Sequence, residues 1–153
     1  MGKRIAEHAS NATHAFVSEV PADAFAALPD TLTGAEFLSQ WGNTDDPVTT
    51  VDPNETYPVQ AATRFGVEEH ARSTRAVAAI EAGDVGTLGA LMAGSHAGYD
   101  AMGLGHPAAT AVRGDALGRP GVHGARSSGG GCGGTVVVVC NLGALEDVET
   151  LIR

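Results

Sequence analysis

Residues Gly129 to Gly134 read Gly-Gly-Gly-Cys-Gly-Gly, five glycines around one cysteine, and both flanking segments read as strands. A stretch so poor in side chains lets its backbone amides approach a ligand closely, and such amides can hold phosphate oxygens. It also costs conformational entropy, which makes it wasteful as a plain turn. Two named phosphate motifs nevertheless fail here. Gly129, Gly131 and Gly134 satisfy G-x-G-x-x-G, but a dinucleotide fingerprint follows a strand and opens a helix. This loop instead runs into Val136-Val137-Val138-Val139. The Walker A pattern requires a lysine after its last glycine, and Thr135 stands there. On spacing alone, a hairpin connection leading into a core strand accounts for the stretch equally well.

The elements that must position this loop can be read on either side of it. The run Thr135 to Val139 is apolar and β-branched, bounded by glycines and by Asn141-Leu142-Gly143. That pattern predicts a strand buried on both faces. Upstream, Ile5, Ala9, Ala12 and Phe16 recur at helical spacing and predict an amphipathic helix over residues 3–18. Thr33 with Glu36 three residues on forms a capping box for a helix carrying Phe37, Leu38 and Trp41. Residues 43–58 are polar and punctuated by prolines, an irregular connection with at most a short strand near 57–61. Val67 to Ala82 reads as a helix with Val67, Ala71, Thr74 and Val77 on its apolar face. Gly83 offers it a C-cap, and Asp84 offers an N-cap to a second helix with Val85, Leu88, Met92 and Tyr99 along one stripe. Glycines at 103 and 105 and Pro107 break that helix, Ala108 to Leu117 forms another, and a last one starts at Asp147.

Composition sets limits on partners. At 153 residues the chain is long enough for one domain with a real core, which its few aromatics and many alanines make a core of small aliphatics. The net charge of −9 and a single lysine, Lys3, argue against nucleic acid and against an anionic membrane surface. No apolar run reaches transmembrane length, and the N-terminus lacks a signal-peptide core. Cys132 and Cys140 would lie roughly 26 Å apart along an extended strand at about 3.3 Å per residue, too far for a disulfide. Two unbridged thiols point to a reducing, cytoplasmic setting. The six histidines are scattered singly, so no metal-ligand spacing exists.

The glycine stretch and its flanks carry a resemblance. Gly124-Ala125-Arg126, Ser128, the glycines 129–131 and Gly133-Gly134 resemble the third motif of the GHMP kinases, with Cys132 in its variable slot. A second set is similar to the arabinokinase branch of that family: Leu28-Pro29, Gly34 through Phe37-Leu38, and Asp46-Pro47-Val48-Thr49. Arg64, Glu69, Arg72, Gly89, Leu91, Met92, Ser95 and His96 resemble the galactokinase and arabinokinase pattern, and Tyr99 with Gly103-Leu104-Gly105 the arabinokinase one. Phe65 and Thr110 depart from it, standing where the family has histidine and aspartate.

The resemblance implies an α+β, ferredoxin-like GHMP kinase C-terminal domain, an antiparallel sheet with helices on one face. It implies one domain over 1–153, with 1–65 as a helical and irregular lead-in, 66–153 as the core, and truncation at both ends. The implied reaction is ATP-dependent phosphorylation of a sugar's anomeric hydroxyl, with ATP and Mg²⁺ as cofactors. Ser128, Gly129, Gly130, Gly131, Cys132, Gly133 and Gly134 would line the phosphate and sugar cleft. His96 and Tyr99 would stand near the sugar, or else pack within the helix hairpin. No catalytic residue is implied, because the family's other phosphate loop and its aspartate and arginine come from an N-terminal half without a counterpart here. The expected partners are therefore that half and a small sugar, and an unpaired sheet edge implies self-association. A non-catalytic binding or assembly module from a split or decayed kinase gene is the alternative.

Overall fold

An asparagine ends the first helix sooner than the apolar periodicity predicts. The structure, a computed structural model, describes residues 1–129 and 134–152. Helix α1 spans Gly2–Ser10, and Asn11 takes the left-handed conformation (φ 53°) that closes it. Ile5 and Ala6 are buried, whereas Phe16, expected on the same face, is 68% exposed beyond the helix end. The chain divides into two compact units, Met1–His70 and Ala71–Arg153.

In the first unit, two short 3₁₀ turns, Val17–Glu19 and Ala22–Ala27, lead to β1 (Leu32–Thr33), α2 (Gly34–Trp41) and β2 (Thr56–Tyr57). β1 and β2 pair antiparallel, Leu32 opposite Tyr57. The capping box forms as expected: Glu36 N–H donates to Thr33 Oγ1 at 3.2 Å, and Thr33 N–H to Glu36 Oε2 at 2.9 Å. The Thr33 hydroxyl and amide, in that order, hold the Glu36 carboxyl below its usual range. Helix α3 runs from Val59 to Ala82, beginning directly after Pro58 rather than at Val67. The core of this unit gathers Ile5, Val20, Phe25, Leu28, Phe37, Val51 and Val59. Phe37 is fully enclosed.

The second unit takes the end of α3, then α4 (Val85–Ala101), α5 (Pro107–Leu117), β3 (Val122–Ser128), β4 (Thr135–Cys140) and α6 (Leu145–Glu149). The join between α3 and α4 is built as the sequence predicts. Asp84 N–H returns to the Ala79 carbonyl at 2.8 Å, and Asp84 Oδ1 accepts from Thr87 N–H at 2.9 Å. At the far end, His106 caps α5 through Nδ1, which accepts from Ala108 N–H at 3.2 Å, and Pro107 opens the helix. β3 and β4 form an antiparallel hairpin from Val122 opposite Cys140 to Ser128 opposite Thr135. The class is α+β, an antiparallel sheet with packed helices, as expected.

Three expected faces are corrected. Within residues 67–82 of α3 it is Ala79 that is buried, while Val77 is 56% exposed. On α4 the buried stripe runs through Gly89, Met92, Ser95, His96 and Tyr99, leaving Val85 40% exposed. Along β4 only one face is covered, since Val137 is 43% exposed, and Cys140 at the strand's end is only half-buried. With one face packed and the other open, the β4 side chains follow the pattern of a half-buried strand.

Candidate functional site

The glycine loop is carried by the β3–β4 hairpin, and α4 sets where that hairpin lies. At one end the two backbones touch. A Cβ on Gly89 would fall 1.9 Å from the His123 carbonyl oxygen, and one on Gly124 would fall 2.8 Å from the Gly89 Cα. Only glycine at both positions permits that approach. Moving along α4, the contacts lengthen: Met92 meets Gly124, His96 reaches Ser127, and Tyr99 reaches Gly129. Helix and strand therefore diverge from a point of backbone contact towards the loop. The growing gap is spanned first by a thioether, then an imidazole, then a phenol.

At the wide end of this wedge, the Tyr99 hydroxyl donates to the Gly129 carbonyl. The Arg126 guanidinium lies over the Tyr99 ring, 5.9 Å from its centroid. His96 is 4% exposed, and its Nδ1 accepts from Ser127 N–H at 3.5 Å. With Nδ1 accepting, the neutral ring carries its proton on Nε2, which faces Asp100 Oδ2 at 3.6 Å. Burial first, then the Arg113 guanidinium, pushes the His96 pKa below its ordinary value; Asp100 pulls the other way, and Arg126 adds a weaker push. Two arginines and one aspartate thus act on one imidazole. Arg113 is fixed by donating from Nε to the Ala125 carbonyl at 2.9 Å. His96 Nε2 and Ser127 Oγ are buried with no hydrogen-bond partner among the described residues.

The two ends of the loop both require glycine. Gly129 has φ 100° and Gly134 φ 130°, conformations that a side chain would strain. Among the described residues, nothing stands within 4 Å of a Cβ placed on Gly129, and only the Ser128 carbonyl does so at Gly134. Space beside the backbone combined with positive φ is what a close-approach loop needs. Of the expected loop residues, Ser128, Gly129 and Gly134 are placed at the loop end of the hairpin; Gly130, Gly131, Cys132 and Gly133 lie outside the described residues. His96 and Tyr99 are brought to this same end, buried, with their polar atoms on the β3 backbone. Arg113 and Asp100 join the cluster without having been singled out from sequence. A single arginine and a single aspartate on a helix carry no spacing signal, and only the fold brings them to His96.

A cavity of about 460 Å³ lies between α5 and β4, lined by Ala109, Val112, Val136, Val138, Val148 and Leu151, with Gly134 at its margin. It is apolar and holds none of the charged groups described above. Among the described residues no three His, Cys, Asp or Glu side chains gather as a metal would need. None of the described helices is long and apolar enough to cross a membrane.

Residues 76–150 match the family model of the GHMP kinases C terminal region. L-arabinokinase of Arabidopsis thaliana is 33% identical over 125 residues, a match covering 73% of this chain and 12% of that protein. The wedge between α4 and β3, with both described ends of the loop, lies inside the family match.

Proposed function

Because this chain belongs to the GHMP kinase family through its C-terminal domain, we propose that it serves an ATP-dependent sugar 1-kinase of the arabinose or galactose type. The glycine loop lines the phosphate side of the cleft, and the supporting observation is its mounting. Two positive-φ glycines, Gly129 and Gly134, stand at the described ends of the loop, uncrowded by other described residues, with the Arg126 guanidinium over Tyr99 beside Gly129. That combination suits a phosphate group. Bound MgATP supplies the phosphoryl group that is transferred. Ser128 and the loop amides hold phosphate oxygens, Arg113 and Arg126 provide a positive field, and His96 and Tyr99 form the floor of the cleft near the sugar. The setting is cytoplasmic, in keeping with an unbridged Cys140.

Phosphoryl transfer is mostly positioning and charge stabilisation of the transferred group. The chain spans 12% of the length of the L-arabinokinase it matches, so residues 1–153 alone hold only part of that machinery. We expect the purified chain to release no ADP above background with arabinose, galactose or their uronic acids. Adding a matching N-terminal kinase half should restore release. Turnover by the chain alone at about 1 per second or more, an ordinary kinase rate, would refute the need for a second half. No restoration in a complex shown to form would favour a non-catalytic assembly module.

A further inference from the structure

The geometry points to Tyr99 as the positioning residue that fixes the Gly129 carbonyl where β3 ends; for its bearing on phosphate, this rests on the reading of the loop given above. Gly129 directly follows β3 with φ 100°, and without a side chain its backbone has several other wells open to it. A free carbonyl there would rotate. The Tyr99 hydroxyl donates to that carbonyl from a ring that cannot move far, since Tyr99 is 8% exposed and lies beneath Arg126. Helix α4 is itself registered on β3 by the Gly89–Gly124 contact and by His96 on Ser127. The helix thus fastens the strand backbone at alternate residues, 127 and 129, using side chains one turn apart, 96 and 99. Those two spacings match, roughly 5–6 Å along the helix face and roughly 7 Å along the strand.

Arg126 joins the same device. Its guanidinium covers the ring, and its Nε donates to the Ser127 carbonyl at 2.9 Å, so ring, cation and strand form one rigid group. The role belongs to the hydroxyl rather than to the bulk of the ring, which makes it separable from packing.

Amide hydrogen exchange of the intact chain, followed residue by residue, tests this with Tyr99→Phe. The ring and its contact with Arg126 remain, and the hydroxyl's hydrogen bond to the Gly129 carbonyl is lost. We expect exchange at Gly129, Gly134 and Thr135 to speed about fivefold, the effect of losing one ordinary hydrogen bond, while α4 and α5 are unchanged. Tyr99→Leu, which also removes the ring, should extend the change to Ser127 and Ser128. Unchanged exchange at Gly129 in Tyr99→Phe, or a uniform rise across the whole unit, would overturn the inference. A pyrophosphate titration of the same samples separates the two readings. Binding that weakens several-fold in Tyr99→Phe supports both. Absence of pyrophosphate binding in the unmodified chain defeats the phosphate reading and leaves the exchange result to decide the role of Tyr99.

Discussion

His96 shows how a single buried side chain reports on the site around it. Its folded pKa is depressed, chiefly by burial and then by Arg113, so the native state prefers the neutral ring. The sign follows from proton binding. Above the unfolded value of about 6.5 both states hold a neutral imidazole and His96 contributes no pH dependence. As pH falls below 6.5 the unfolded chain takes up a proton that the native ring refuses, so native stability declines until the folded pKa is passed. We expect the urea midpoint to fall between pH 7.5 and 5.5, and His96→Gln to reduce that fall. Gln keeps a hydrogen-bonding side chain but cannot titrate. An identical pH slope in the variant would show that another group carries the effect, such as the Met1 amine, whose pKa burial also lowers. A second residue-scale outcome concerns Gly129, where φ of 100° with empty space alongside separates strain from crowding. Gly129→Ala should cost about 1–2 kcal/mol through backbone strain alone, measured by chemical denaturation, without disturbing the α4 contacts.

At the scale of elements, α4 against β3 is the construction on which the loop depends, and Gly89 is its pivot. A methyl group at 89 would have to displace the His123 carbonyl, a backbone group with no freedom to yield cheaply. Gly89→Ala, favourable for an isolated helix, should therefore destabilise the second unit by about 1–3 kcal/mol or more. It should also loosen the Tyr99–Gly129 contact at the other end of the wedge. Thermal unfolding with a probe in β3 checks this, and a neutral or stabilising result would contradict the backbone contact. The same pair of elements marks the boundary of what the sequence makes legible. Caps at Thr33, Gly83 and Asp84, the break before Pro107 and the strand–loop–strand around the glycines are local, and each is read from a few adjacent residues. Faces are not. Val77 and Val85 continue an apolar period yet lie exposed, because the buried side of each helix is fixed by what packs on it. On α4 that side is chosen by a glycine, which adds nothing to an apolar count. The end of α1 at Asn11 was hidden for a different reason, since a left-handed cap needs no break in the apolar pattern. For the site, the glycines and Ser128 are legible as a motif, and His96 and Tyr99 through resemblance. Their shared attachment to β3, with Arg113 and Asp100 nearby, depends on the α4–β3 register and so appears only in three dimensions.

For the molecule as a whole, the consequence of this architecture is a sheet edge left unpaired among the described residues. β4 pairs with β3 on one side, and among the described residues no strand pairs with its other side. Its sequence, Thr-Val-Val-Val-Val-Cys, has no charge, proline or glycine to discourage pairing with another chain. Val137 is 43% exposed on this strand, and the turn that follows exposes Leu142 at 92% and Leu145 at 46%. Natural edge strands are commonly protected by a lysine or a bulge, and the one irregularity here lies in β3 between Val122 and Gly124, at the far end from the loop. A net charge of −9 resists close approach of two copies at low salt, and salt screens that repulsion over about 10 Å at 0.1 M. Self-association of the 153-residue chain should therefore rise with both concentration and salt. Val137→Lys places a charge on the exposed face at little cost to the fold, since surface substitutions of this kind usually change stability by less than about 0.5 kcal/mol. Sedimentation at several concentrations, in low and high salt, should find the unmodified chain associating and Val137→Lys monomeric under the same conditions. A monomer at every concentration and salt level would mean that the edge is protected by something other than its own residues, and the expectation of self-association would fall.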